Sequence, residues 1–87
     1  MISIIFISKE NRAVSYDNNI EIGECVFKEL ENIWNIIHTG VDRKYQGQGI
    51  AKRLVKCVIE NSKECNKKVI AECSYAKKIL ETEIESK

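Results

Sequence analysis

Apolar residues alternate with polar ones, or gather in short β-branched runs, over the first forty positions, and recur at helical spacing after Gly49. Ile2 to Ile7 is an apolar run followed by polar Lys9-Glu10-Asn11, and Ala13 to Tyr16 is a second run ended by Asp17-Asn18-Asn19. Each predicts a strand closed by a turn. Ile20, Ile22 and Val26 stand among polar partners, Leu30-Glu31-Asn32 reads as a turn, and Ile33 to Thr39 has the length and branching of a central strand. Four consecutive strands in an antiparallel meander are expected. Ile50, Ala51, Leu54, Val55, Val58 and Ile59 then line one side of an amphipathic helix running to about Cys65, with Asn66 as its stop. Lys68 to Cys73 reads as a fifth strand, and Ser74 as the N-cap of a last helix with apolar Ala76, Ile79, Leu80 and Ile84. The order ββββαβα predicts one α/β (α+β) domain over residues 1–87, mostly antiparallel, with a crossover helix between strands four and five.

Composition narrows the function classes. The chain has 87 residues, and its longest apolar stretches, Ile2–Ile7 and Ile33–Ile37, fall short of the roughly 20 residues of a membrane span. The first residues lack the basic region and cleavage site of a secretory signal, so a cytoplasmic protein is expected. A domain this small buries only about 60% of its unfolded surface, so a ligand or second subunit would help to hold it. Cys25, Cys57, Cys65 and Cys73 are separated by 31, 7 and 7 intervening residues with no Cys-x-x-Cys pair, which argues against a metal site and for reduced, packed thiols. Net charge is +1, but residues 1–42 carry 3 basic and 7 acidic side chains against 11 and 6 in residues 43–87. Two readings fit: solvated faces, or an anionic ligand on the second half and a cationic one on the first. A pI near 7.6 without basic and aromatic interleaving makes nucleic acid an unexpected partner.

The chemistry concentrates between His38 and Leu54, where a strand runs through a glycine-containing loop into a helix. Gly47 and Gly49 let the backbone approach an anion, and the free amides and dipole of the helix start point at it. An ordinary turn is the plain alternative, since neither a dinucleotide fingerprint nor a P-loop is complete. The wider string Val41-Asp42-Arg43-Lys44-Tyr45-Gln46-Gly47-Gln48-Gly49-Ile50-Ala51 resembles motif A of the GNAT acetyltransferases, with Gln46, Gly49 and Ala51 at its defining positions. The blocks His38-Thr39-x-Val41, Gly47 to Val55 and Cys73-Ser74-Tyr75-Ala76 resemble the small single-domain GNAT-like subfamily. This resemblance implies a minimal GNAT-like fold and acetyl-CoA bound through Thr39, Val41, Gln46, Gly47, Gln48, Gly49, Ile50, Ala51 and Lys52. The strand at Val41 would lie along the pantetheine. Arg43 stands where the family usually has Pro, and Leu80 to Lys87 replaces a His-Pro-Glu-Tyr-like segment.

Three residues are candidates for catalysis. Cys73 lies at a strand end before a helix start, where the dipole favours a thiolate, and the resemblance puts it beside the acetyl group; Glu72 opposes this, and a packed thiol is the alternative. His38 fits a general base or a core histidine satisfied by a carbonyl. Tyr75 fits a proton donor to the leaving thiolate, or simple packing. Glu24 is a weaker base candidate. Phe6, Phe27 and Trp34 read as core. Lys52, Arg53 and Lys56 oppose the helix dipole where they stand, which either a solvated face or the phosphates of CoA would explain.

The resemblance thus predicts an N-acetyltransferase acting on an unidentified amine, by direct attack with base assistance or, alternatively, through acetyl-Cys73. A non-catalytic CoA-binding sensor or interaction module is the other reading. No helical pattern precedes Gln48 to wall the acceptor side, so that side is expected to be open or completed by a homodimer or partner protein.

Overall fold

The computed structural model describes residues 1–85, with side chains as far as Thr82. Ile84, expected on the apolar side of the last helix, has its side chain outside the described residues, as do Ser86 and Lys87 of the tail. The elements are β1 (Ile2–Ile7), β2 (Arg12–Asp17), β3 (Ile20–Leu30), β4 (Ile33–Val41), α1 (Ile50–Glu64), β5 (Lys68–Ala71) and α2 (Ser74–Glu85). They form a mixed α/β structure in the expected order. Strands β1 to β4 are a sequential antiparallel meander, and β5 joins β4 in parallel after the α1 crossover. Asn11, Asn18 and Asn66 take positive φ at the turns after β1, β2 and α1, a conformation that a short polar side chain tolerates.

The apolar stripe of α1 makes the core. Leu54, Val55 and Val58 are fully buried and share one cluster with Ala13, Cys25, Phe27, Trp34 and Ile36 of the sheet and Ala76 of α2. Burying each of the large ones contributes about 1.5–3 kcal/mol. Phe6, Phe27 and Trp34 stack within this core, as expected, with the Phe27 and Trp34 centroids 4.2 Å apart. Among the described residues the opposite sheet face carries no helix and exposes Ile5 and Ile70.

The structure corrects three readings. Strand β5 ends at Ala71, because the Glu72 and Cys73 amides both donate to the Ile36 carbonyl and the ladder stops at Ile36 and Ala71. Cys73, rather than Ser74, holds the N-cap position of α2: its carbonyl accepts the first helical bond, from Lys77 N–H at 2.9 Å. In β4 an extra residue, Ile37, sits between the pairs Phe27/Ile36 and Val26/His38. This bulge turns His38 out of the core face that strict alternation would give it.

Candidate active site

Beyond Ile36 the two parallel strands part, and one edge of Ile37–Val41 has no strand partner. Asp42 N–H donates to Ile22 O on the β3 side at 2.7 Å, so by alternation the Val41 and Thr39 amides point into the gap. A cavity of about 600 Å³ opens there, within the range of small-molecule sites. Thr39, Gly40 and Val41 form one wall; Tyr45, Gln46, Gly47 and Gly49 form the loop wall; Ile50 and Ala51 of α1 and Tyr75 of α2 close it.

The loop has the shape of an anion cradle. Gly47 and Gly49 sit at φ 84° and 77°, and a Cβ on either would meet no atom within 4 Å. Positive φ excludes most side chains, and the open space above both residues is where a bound group would lie. Gly49 is the N-cap of α1, whose first turn contains no acidic residue and presents exposed Lys52 and Arg53. Gln46 Nε2 donates to Val41 O at 3.3 Å, occupying that carbonyl and leaving the amide directed at the cavity. The residues present therefore fit a phosphate-bearing ligand with an extended arm along β4.

Thr39, Val41, Gln46, Gly47, Gly49, Ile50 and Ala51 line this cavity, and Tyr75 joins them; Gln48 and Lys52 stand outside its wall. Cys73 lies behind Thr39 and Tyr75 rather than on the lining itself. Burial pushes its thiol pKa up, but the nearby polar groups of Ala76, Thr39 and Tyr75 outweigh that and leave the pKa lowered. The N-cap seat explains the two helical groups. The Thr39 hydroxyl donates to Cys25 Sγ at 3.6 Å. Cys25 is pushed up to about 11 and Cys57 upward, in both cases chiefly by burial. Cys65 is exposed. Cys73 should therefore keep reacting with iodoacetamide at a pH where an ordinary thiol, titrating near about 8.5, has become slow. Mass spectrometry of alkylation across pH should give a Cys73 midpoint lowered from that of an ordinary thiol, with Cys25 and Cys57 unmodified.

His38 is not the core histidine of the alternative reading. It lies on the sheet face opposite the helices, 57% exposed, over Gly40 and with Nε2 3.7 Å from Glu24 Oε2. Glu24 is in turn held by Arg12 at 3.0 Å. The two base candidates are thus together, but on the far side of β4 from the cavity. Among the described residues no group of three His, Cys, Asp or Glu side chains could hold a metal. No helix among them is long and apolar enough to cross a membrane.

The family model for GCN5-related N-acetyl-transferases matches residues 12–86. The chain belongs to that family. A solution structure of a GCN5-like protein of the family from Staphylococcus aureus is 39% identical, with a TM-score of 0.72 over 95% of this chain and 81% of that one. At lower identity the GNAT fold recurs in two crystal structures. A ribosomal-protein-alanine N-acetyltransferase from Brucella melitensis biovar Abortus 2308 is 18% identical, with a TM-score of 0.67 over 84% of this chain and 61% of that one. An aminoglycoside acetyltransferase from an uncultured soil metagenomic sample, in complex with sisomicin, is 20% identical, with a TM-score of 0.62 over 87% and 55%. This GNAT chain therefore spans little more than half the length of those two. No curated protein matches it.

Two cavity residues escape a motif reading. Gly40, between Thr39 and Val41, has no motif position of its own, and Tyr45, although inside the motif string, carries no motif function. An aromatic residue immediately before a glycine loop was the available signal for the second.

Proposed function

We propose that this GNAT protein binds acetyl-CoA in the cavity between β4, the glycine loop and the starts of α1 and α2, and transfers the acetyl group to an amine, with Cys73 as the acetyl carrier. The observation that carries this reading is the glycine cradle at the cavity: Gly47 and Gly49 at positive φ line it together with Tyr75, two residues after Cys73 at the N-cap of α2. The amides around Gly47 and Gly49, with the α1 dipole, would hold the pyrophosphate, and Lys52 and Arg53 stand near enough to the helix start to add charge. Backbone groups of Thr39 to Val41 would hold the pantetheine arm as an added strand.

Acetyl-CoA supplies an acetyl group activated as a thioester. The Cys73 thiolate forms the new bond to the acetyl carbon while the carbon–sulfur bond to CoA breaks, and the electron pair leaves with the CoA sulfur. The Val41 amide, directed into the gap, would donate to the developing oxyanion. Tyr75, on the cavity wall, is the candidate to protonate the departing thiolate. An amine then attacks acetyl-Cys73, restores the thiolate and gives up its proton to a base. His38 with Glu24 is the pair on the side from which an acceptor would reach the strand gap. Isothermal calorimetry with acetyl-CoA and CoA, followed by an acetyl-transfer screen across primary amines, tests this. Binding without transfer to any amine would select a CoA-binding module instead.

Ligand stabilisation gives a separate check. At 100 times its dissociation constant CoA should add about 2.7 kcal/mol, and a domain of this size shifts by roughly 4–8 °C per kcal/mol. A rise in melting temperature of about 10 °C or more is expected in a thermal scan. An unchanged midpoint at saturating CoA would contradict binding.

A further inference from the structure

The loop that would hold the pyrophosphate starts at Gln46, and the residue before it is fixed from far away. The Tyr45 hydroxyl donates to Asp17 Oδ2, at the end of β2 and 28 residues distant in sequence. Three other bonds of this segment are local. The Asp42 carboxylate accepts from Lys44 N–H at 2.9 Å, Tyr45 N–H donates to Asp42 O at 2.9 Å, and Gln46 N–H donates to Arg43 O at 3.3 Å. They close the turn upon itself. Apart from Gln46 on Val41 O, the turn is tied to the sheet at its two ends: Asp42 N–H on Ile22 O at the start, and the Tyr45 hydroxyl on Asp17 at the finish. Tyr45 lines the cavity while Asp17 does not.

We infer that Asp17 is a positioning residue for the cofactor loop: by accepting the Tyr45 hydroxyl it fixes where Gln46–Gly49 leaves the sheet, and so sets CoA affinity without touching CoA. This rests on the proposed binding of CoA at that loop. A charged acceptor makes the bond stronger and more directional than a neutral one. It also carries the chain's β2–β3 turn into the construction of a site made otherwise from β4, α1 and α2. The same carboxylate accepts from the Met1 amine at 3.2 Å, so a substitution at Asp17 touches the sheet edge as well. That is why the Tyr45 variant is the primary test.

Tyr45→Phe keeps the ring and removes the donor, Asp17→Ala removes the acceptor, and Asp17→Asn keeps an acceptor oxygen. Calorimetry with CoA should show the dissociation constant rising about tenfold in Tyr45→Phe and in Asp17→Ala, no further in the double variant, and recovering in Asp17→Asn. In turnover the effect should fall on KM for acetyl-CoA with kcat unchanged, and Cys73 should be alkylated at the wild-type rate in the free protein. Affinity in Tyr45→Phe within about twofold of wild type, or losses that multiply in the double variant, would overturn the inference. Should the wild type itself bind no CoA, the functional reading falls, and nitrogen-15 relaxation at Gly47 and Gly49 decides the clasp: added motion in Tyr45→Phe supports it and unchanged order parameters refute it.

Discussion

Gly49→Glu is expected to remove acetyl-CoA binding while leaving the protein folded. Gly49 has φ 77° and caps α1, and a Cβ there would meet nothing within 4 Å, so the variant suffers backbone strain but no collision. Left-handed strain costs about 1–2 kcal/mol, which lowers the melting temperature by roughly 4–16 °C. The added carboxylate, in contrast, occupies the space above the cradle and repels phosphate at close range. Acetyl-CoA affinity should fall at least about a hundredfold, equivalent to about 2.7 kcal/mol. Gly49→Ala separates the two effects, since it carries the strain without the charge or bulk. If calorimetry found Gly49→Glu binding acetyl-CoA as tightly as Gly49→Ala, the ligand would lie elsewhere.

The second large effect is expected at Cys73. Cys73→Ala should lower acetyl transfer on the order of 10³-fold or more, because the attacking atom is gone and the amine must reach the thioester unaided. CoA affinity should stay within a few-fold of wild type, since the cradle is untouched. Cys73→Ser should be nearly as inactive: the same N-cap seat holds a hydroxyl whose ionisation lies far above that of a thiol. Mass spectrometry after brief exposure to acetyl-CoA without acceptor should find one acetyl group on Cys73, and acetyl-CoA should protect that residue from alkylation. Transfer at the wild-type rate in Cys73→Ala would leave the thiol as a wall of the pocket, with direct attack on the thioester as the mechanism.

Element order and the anion loop were legible because both are written in local spacing. Alternation from Ile2 to Thr39 and the stripe from Ile50 to Ile59 correspond to the four antiparallel strands and α1, and Gly47 and Gly49 take the positive φ that a cradle needs. What was missed depends on partners distant in sequence. Glu72 and Cys73 continue the apolar pattern of β5, but their amides converge on one carbonyl of β4, which ends the strand early and hands the N-cap to Cys73 in place of the better-suited Ser74. His38 follows Trp34 and Ile36 in simple alternation, and only the extra residue at Ile37 reverses its side. The bond from Tyr45 to Asp17 spans 28 residues and leaves no local trace.

The short ladder of β5 bears on how the molecule comes apart. Strand β5 is an edge strand paired with β4 only from Ile33 to Ile36, whereas β1, at the other edge, pairs along its whole length. The least costly partial opening of the native protein is therefore release of β5 together with α2, well below the free energy of global unfolding. In that opened form Cys73 parts from Thr39 on β4 and reverts toward an ordinary thiol, while the four-stranded meander and α1 stay assembled. The acetyl-carrier role proposed for Cys73 would thus belong to the closed form of one peripheral unit, and heat or denaturant should extinguish it before the bulk of the sheet melts.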